Sequence, residues 1–137
     1  MLVGSGSLQN DIIQKIYNLG ISDRVKFLGS QKDVKGLLMA SDLMLMPSLY
    51  EGLPFSAVEA QAAGLPLVVS KEAFTSEVNI INKISYLSNS ESDKEWAKNI
   101  DDMIFDNSSS DRNLDNDIVG QSKFGFDKTV SEILSFY

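Results

Sequence analysis

Apolar positions along the chain fall into two spacings that alternate. Leu2-Val3, Val25-Lys26-Phe27-Leu28, Leu43-Met44-Leu45-Met46 and Leu67-Val68-Val69 are short runs, each closed by a glycine, a proline or a polar turn. Compact runs of this kind predict parallel strands buried on both faces. Between them the spacing widens to three and four residues. Leu8, Ile12, Ile13, Ile16 and Leu19 share one helical face, with Gly20 in the C-cap position. Asp33 is placed to cap a helix whose inner face is Val34, Leu37 and Leu38. A helix from about Phe55 to Ala63 is closed by Gly64-Leu65-Pro66. Further on, a weaker element is expected around Ile84–Leu87, a helix from about Asp93 to Phe105, and a terminal helix from Phe126 to Tyr137. Residues 107–117 are poor in apolar side chains and hold three consecutive serines, so a mobile loop is expected there.

Strands that alternate with helices define an α/β protein, with an open, mostly parallel sheet carrying helices on both faces. In such sheets ligands bind at the carboxyl ends of the strands, where loops meet helix N-termini. The places to look are therefore the residues after Val3, Leu28, Met46 and Val69. The chain has 137 residues, which suits one domain over 1–137. At 43% hydrophobic residues it can bury a core.

Charge and composition then remove whole classes of function. The net charge is −7, against a nucleic-acid binder, which needs a basic surface. Nine acidic and three basic residues lie between Glu91 and Asp117, so the acidity is local and reads as a solvated face. There is no cysteine, hence no disulfide and no thiolate metal site, and a reducing compartment is the simpler reading. There is no histidine, which removes the commonest general base and metal ligand. No metal site is expected. The N-terminal apolar piece is too short for a signal peptide, and no run approaches the roughly 20 apolar residues of a membrane span.

Two stretches could carry chemistry. Gly4-Ser5-Gly6 follows a strand, but Gln9 breaks the full dinucleotide pattern and no P-loop lysine follows. A tight turn and a direct ligand contact stand level for it. The second stretch runs from Pro47 to Ala60 and places Glu51 in a loop and Glu59 in the first turns of a helix. Helix-start N–H groups and the positive end of the dipole suit a phosphate, and a nearby carboxylate can accept from vicinal hydroxyls. The same residues fit a plainer account. Ser56 and Glu59 have capping-box spacing, and Glu51 would then be a solvated loop acid. Spacing alone leaves both open.

Residues 47–66 resemble the C-terminal domain of retaining GT-B glycosyltransferases of group 1 (family 4), whose Glu-x7-Glu motif is matched by Glu51 and Glu59. Pro47-Ser48, Gly52-Leu53-Pro54 and the stretch Ala60 to Pro66 agree with the flanks of that motif. Upstream, Val3-Gly4-Ser5-Gly6, Val25 to Gly29 and Ala40-Ser41-Asp42 stand in the family's order. The resemblance implies a Rossmann-like half of a GT-B fold and a nucleoside-diphosphate-sugar donor of UDP or GDP type, with no cofactor and no metal. Under it Glu59 would bind the ribose and Glu51 the donor sugar. Backbone groups of Gly52, Leu53, Pro54 and Phe55 would line the sugar and distal phosphate, with Ser56, Ala57 and Val58 near the diphosphate. Ser30 and Gln31 would face the base, and Gly4 and Gly6 would allow close approach.

The chain also departs from the family. Met1 begins after the domain's usual first strand and helix, which carry an Arg/Lys pair for the diphosphate. The N-terminal acceptor domain is missing too, so the chain reads as an N-terminally truncated domain with no catalytic residue of its own. Lys71 to Glu77 replaces the usual Gly-rich turn. With its first strand gone from the order 3-2-1-4-5-6, the sheet loses the strand that joins its halves. The expected function is donor binding for sugar transfer in polysaccharide or glycoconjugate synthesis, without turnover by this chain alone. It would be cytoplasmic and peripheral to the inner membrane face through a lipid-linked acceptor. The alternative is a non-catalytic nucleotide-sugar module completed by a separate N-terminal chain. A receiver-like α/β protein would want paired acids after Leu2-Val3, where there are none.

Overall fold

The structure is a computed structural model that describes residues 1–135. In chain order it runs β1 (Leu2–Val3), α1 (Gln9–Asn18), β2 (Phe27–Gly29), α2 (Val34–Met39), β3 (Met44–Met46) and α3 (Phe55–Ala62). It continues through β4 (Leu67–Ser70), a 3-10 turn (Ser76–Val78), β5 (Ile84–Leu87), α4 (Asp93–Asn107), α5 (Arg112–Gln121) and α6 (Phe126–Leu134). The last two residues of the terminal helix expected to reach Tyr137 lie outside the described ones. All strand pairs are parallel. They form two sheets, β1-β2 and β3-β4-β5.

The chain divides into two compact units, Met1–Val34 and Lys35–Tyr137, where one domain was expected. The division follows the pairing, since neither sheet draws a strand from the other. In the first unit, Leu2 pairs with Phe27 and Val3 with Gly29, and the register shifts between them. No side chain of this unit is fully buried, and the apolar face of α1 stays open at Ile12 and Ile13.

The second unit holds the core. Every residue of β4 is buried, as a strand covered on both faces requires. Leu67 and Val69 meet Met46, Leu65, Phe74, Val78 and the α3 residues Ala57 and Ala60. Val68 and Ser70, on the opposite face of β4, are equally inaccessible, and α4 packs against β4 and β5. The turn that delivers the chain from α3 to β4 depends on Gly64, with φ of 71°. A Cβ there would sit 2.6–2.8 Å from Arg112 atoms of α5, backbone included, so both conformation and space demand glycine.

The loop expected over 107–117 is corrected by α5. Asp111 caps that helix by accepting from the N–H groups of Asn113 and Leu114, and the helix buries only Asp115 and Val119, one turn apart. Two inward positions are too few to mark a helix by apolar spacing. Three further bonds dock this stretch. The Arg112 guanidinium donates to the carbonyls of Met39 and Ser41, and the Asn116 amide donates to Ala62.

Helix α4 opens with a capping box between Ser92 and Glu95. Ser92→Ala is expected to destabilise the protein by about 1 kcal/mol. Hydrogen bonds from the Ser92 backbone and hydroxyl hold the Glu95 carboxyl below its ordinary 4.5. A lowered folded-state value adds stability above the unfolded value and loses it as pH falls through the folded one. The difference between wild type and Ser92→Ala in melting should therefore be larger at neutral pH than in acid, where the bond from the Glu95 N–H to the Ser92 hydroxyl remains and those to the carboxylate are lost. A gap that does not change with pH would assign the whole effect to the N–H bond and none to the Glu95 carboxylate.

Candidate functional site

In the second unit, the chain leaves β3 at Met46 and turns through residues 47–54 before α3 starts at Phe55. Within this turn Glu51 is half-buried and does not stand as a loose loop acid. The Ser48 hydroxyl donates to its Oε1 at 2.6 Å. Glu59 is exposed one turn into the helix, and its carboxylate has no partner among the described residues. The capping box that Ser56 and Glu59 could have made is absent, because the helix starts two residues earlier, with Pro54 as N-cap and no side-chain cap.

The helix start is only partly open to a ligand. The N–H groups of Ala57 and Val58 turn back to the Pro54 carbonyl, at 2.9 and 3.3 Å, and that of Phe55 to Leu53 at 2.8 Å. The Ser56 N–H is left without a partner among the described residues. Pro54, Ala57 and Val58 are buried, so Ala57 and Val58 could meet a ligand through backbone alone. Gly52, Leu53, Phe55 and Ser56 are exposed around them, and a Cβ at Gly52 would meet nothing within 4 Å.

Behind Glu51 lies a network that the sequence did not announce. The Ser48 carbonyl accepts from the buried Ser70 hydroxyl at the end of β4 and from the Asn89 amide beyond β5, the latter at 3.1 Å. Asn89 is itself held, its backbone N–H donating to Glu72 Oε2 at 3.1 Å while the Ser88 hydroxyl donates to Oε1 at 2.5 Å. Those bonds, the Ser88 hydroxyl first, pull the Glu72 carboxyl below its ordinary value. The Trp96 indole N–H of α4 donates to the Ser88 carbonyl at 3.2 Å and fixes the loop from behind. The carboxyl ends of β3, β4 and β5 are thus tied together at Ser48. The rule that ligand loops follow strand ends would have pointed to Ser88–Ser90 had it been extended to Leu87.

In the first unit, the other expected positions are brought side by side. Gly4 donates its N–H to the Gly29 carbonyl at 2.8 Å and has φ of 125°, a conformation that favours glycine. The Ser30 hydroxyl donates to Ser5 Oγ at 3.1 Å, and the Gln31 amide to the Leu28 carbonyl at 2.6 Å. A Cβ at Gly4 or Gly6 would meet nothing within 4 Å, so the turn faces open space. Lys71 is exposed. Among the described residues no group of three or more acidic side chains is placed to hold a metal ion, and no helix is long and apolar enough to cross a membrane.

Parallel strands that alternate with helices, with a carboxylate-bearing loop and helix at the carboxyl end of β3, define an α/β protein. Residues 1–118 match the family of glycosyl transferases group 1, and the chain belongs to that family. EpsF of Bacillus subtilis (strain 168), named as a glycosyltransferase, is 38% identical over 101 residues, which is 73% of this chain and 26% of that protein. A UDP-Gal:alpha-D-GlcNAc-diphosphoundecaprenol alpha-1,3-galactosyltransferase of Escherichia coli is 39% identical over 71 residues, covering 51% of this chain and 18% of that protein. Among solved structures, Anabaena Alr3699/HepE in complex with UDP and glucose superposes with a TM-score of 0.77 at 28% identity, over 99% of this chain and 40% of that one. The chain therefore spans about a quarter of the first of these relatives.

Proposed function

We propose that this chain is the donor-binding part of a retaining, metal-independent group 1 glycosyltransferase of family 4, taking a nucleoside-diphosphate sugar. The observation that carries the reading is the pairing of a held carboxylate, Glu51, with an unpartnered one, Glu59, on either side of a helix start. Glu59 accepts from the ribose hydroxyls and Glu51 from the donor sugar. Gly52 to Phe55 line the sugar, and the Ser56 N–H is the donor turned toward the diphosphate. Support comes from family membership and from the UDP and glucose bound by the Anabaena structure.

Transfer itself requires fixed donors and positive charge at the leaving diphosphate. The loops after β3, β4 and β5 hold two cations, Lys71 and Lys83, and Lys83 is engaged by Asp115; the remaining charge and the acceptor site are assigned to an N-terminal acceptor domain. The chain alone binds donor without turnover, and the transfer serves glycan assembly on a lipid-linked acceptor at the inner membrane face.

Titration calorimetry with UDP, UDP-glucose and GDP tests the reading. Glu59→Ala is expected to weaken the bound nucleotide by about tenfold to a hundredfold, the loss of one or two hydrogen bonds to a charged acceptor. Equal affinity in wild type and variant, or binding by neither, would remove the donor site from this chain.

A further inference from the structure

Resting on the donor reading above, we propose that Ser48 is a positioning residue that presents Glu51 to the sugar, with Ser70 and Asn89 fixing Ser48 in turn. All of these residues lie in the second unit. The Ser48 hydroxyl occupies one carboxylate oxygen of Glu51, Oε1, at 2.6 Å. Oε2 is thereby aimed and left as the acceptor for a sugar hydroxyl. A hydroxyl has one proton to give, so Ser48 can hold Glu51 only if its own backbone is held elsewhere.

That second hold is on the carbonyl of the same residue, which takes both the buried Ser70 hydroxyl and the Asn89 amide. Asn89 is placed by Glu72, Ser88 and Trp96. The three strand ends therefore define the height and direction of one carboxylate. A carboxylate fixed by its neighbours accepts a ligand hydroxyl without first losing rotamer freedom, and it discriminates between hydroxyl positions that a free one would accept alike. The network does not touch Glu59, so sugar recognition and nucleotide recognition are separable in this chain.

The test compares UDP with UDP-glucose, UDP-galactose and GDP-mannose on the 137-residue chain, reading the affinity gained by the sugar over its bare nucleotide. Ser48→Ala is expected to lose about tenfold of that gain and to flatten the preference among sugars, with bare-nucleotide affinity within about twofold of wild type. Ser48→Thr, which keeps the hydroxyl, should retain the gain. Asn89→Ala should lose about threefold of it. A general packing defect would weaken nucleotide and nucleotide sugar together, and that result overturns the proposal. So does a Ser48→Ala variant that keeps the gain. Unchanged behaviour in Asn89→Ala overturns the part assigned to Asn89. Bare nucleotide binding with no sugar gain in wild type overturns this inference and spares the nucleotide site, whereas no binding of any probe ends both.

Discussion

Gln61→Ala is expected to destabilise the protein by roughly 3 kcal/mol or more, through buried polar groups left without partners at about 1–3 kcal/mol each. Gln61 is wholly inaccessible, yet it is polar and sits in the last turn of α3. Its amide nitrogen donates to the carbonyls of Ala57 and Val78, at 3.1 and 2.8 Å. Its amide oxygen accepts from the N–H groups of Ile80 and Ile81, at 2.8 and 3.3 Å. One side chain therefore partners backbone groups of Val78, Ile80 and Ile81 in the irregular stretch that leads to β5. At about 4 °C per kcal/mol for a chain of this size, thermal melting should fall by roughly 12 °C or more. Gln61→Leu restores the volume and none of the bonds. If it melts near wild type, packing and not satisfaction of the 78–81 backbone is what Gln61 provides.

Breaking the ion pair between Lys83 and Asp115 should do comparable damage. Lys83 Nζ lies 2.5 Å from Asp115 Oδ2, and the two side chains are only 14% and 7% exposed. Removing one partner strands a charge where water barely reaches, which typically costs 3–5 kcal/mol, whereas removing both together costs far less. Lys83→Met and Asp115→Leu are each expected to lower the denaturation midpoint sharply, and the double variant to recover most of the loss. The pair joins the strand entering β5 to α5, so the single variants should also release α5, visible as lost protection of its amides. Additive losses in the double variant would mean that the two groups act independently.

Both effects lie beyond what the sequence made visible, for a physical reason. Elements that carry their own punctuation were legible. Gly64-Leu65-Pro66 announced the end of α3, and three apolar residues in a row marked β4 as a strand, whereas Leu43 to Met46, read as buried on both faces, leaves Leu45 exposed. Glu51 and Glu59 were legible as a motif. What closes around them was not. Lys83 and Asp115 are 32 residues apart and look like two surface charges until α5 brings them together. Gln61 lies in the midst of alanines and reads as a solvated helix position. Ser48, Ser70 and Asn89 meet because three parallel strands end at the same level, and register of that kind leaves no trace in residue spacing. Residues 112–121 were missed because a helix that buries one charge and one valine has no apolar period to find.

The first unit has no fully buried side chain, and that bears on how tightly it can hold anything. Its order rests on α1, two short paired strands and a handful of turn hydrogen bonds, features that place a segment at the low-stability end of a fold. A contact made by Gly4, Ser5 or Ser30 is available only in the ordered fraction, and the observed dissociation constant exceeds the intrinsic one by the reciprocal of that fraction. Anything that shifts the segment toward order raises apparent affinity without adding a single contact to the ligand.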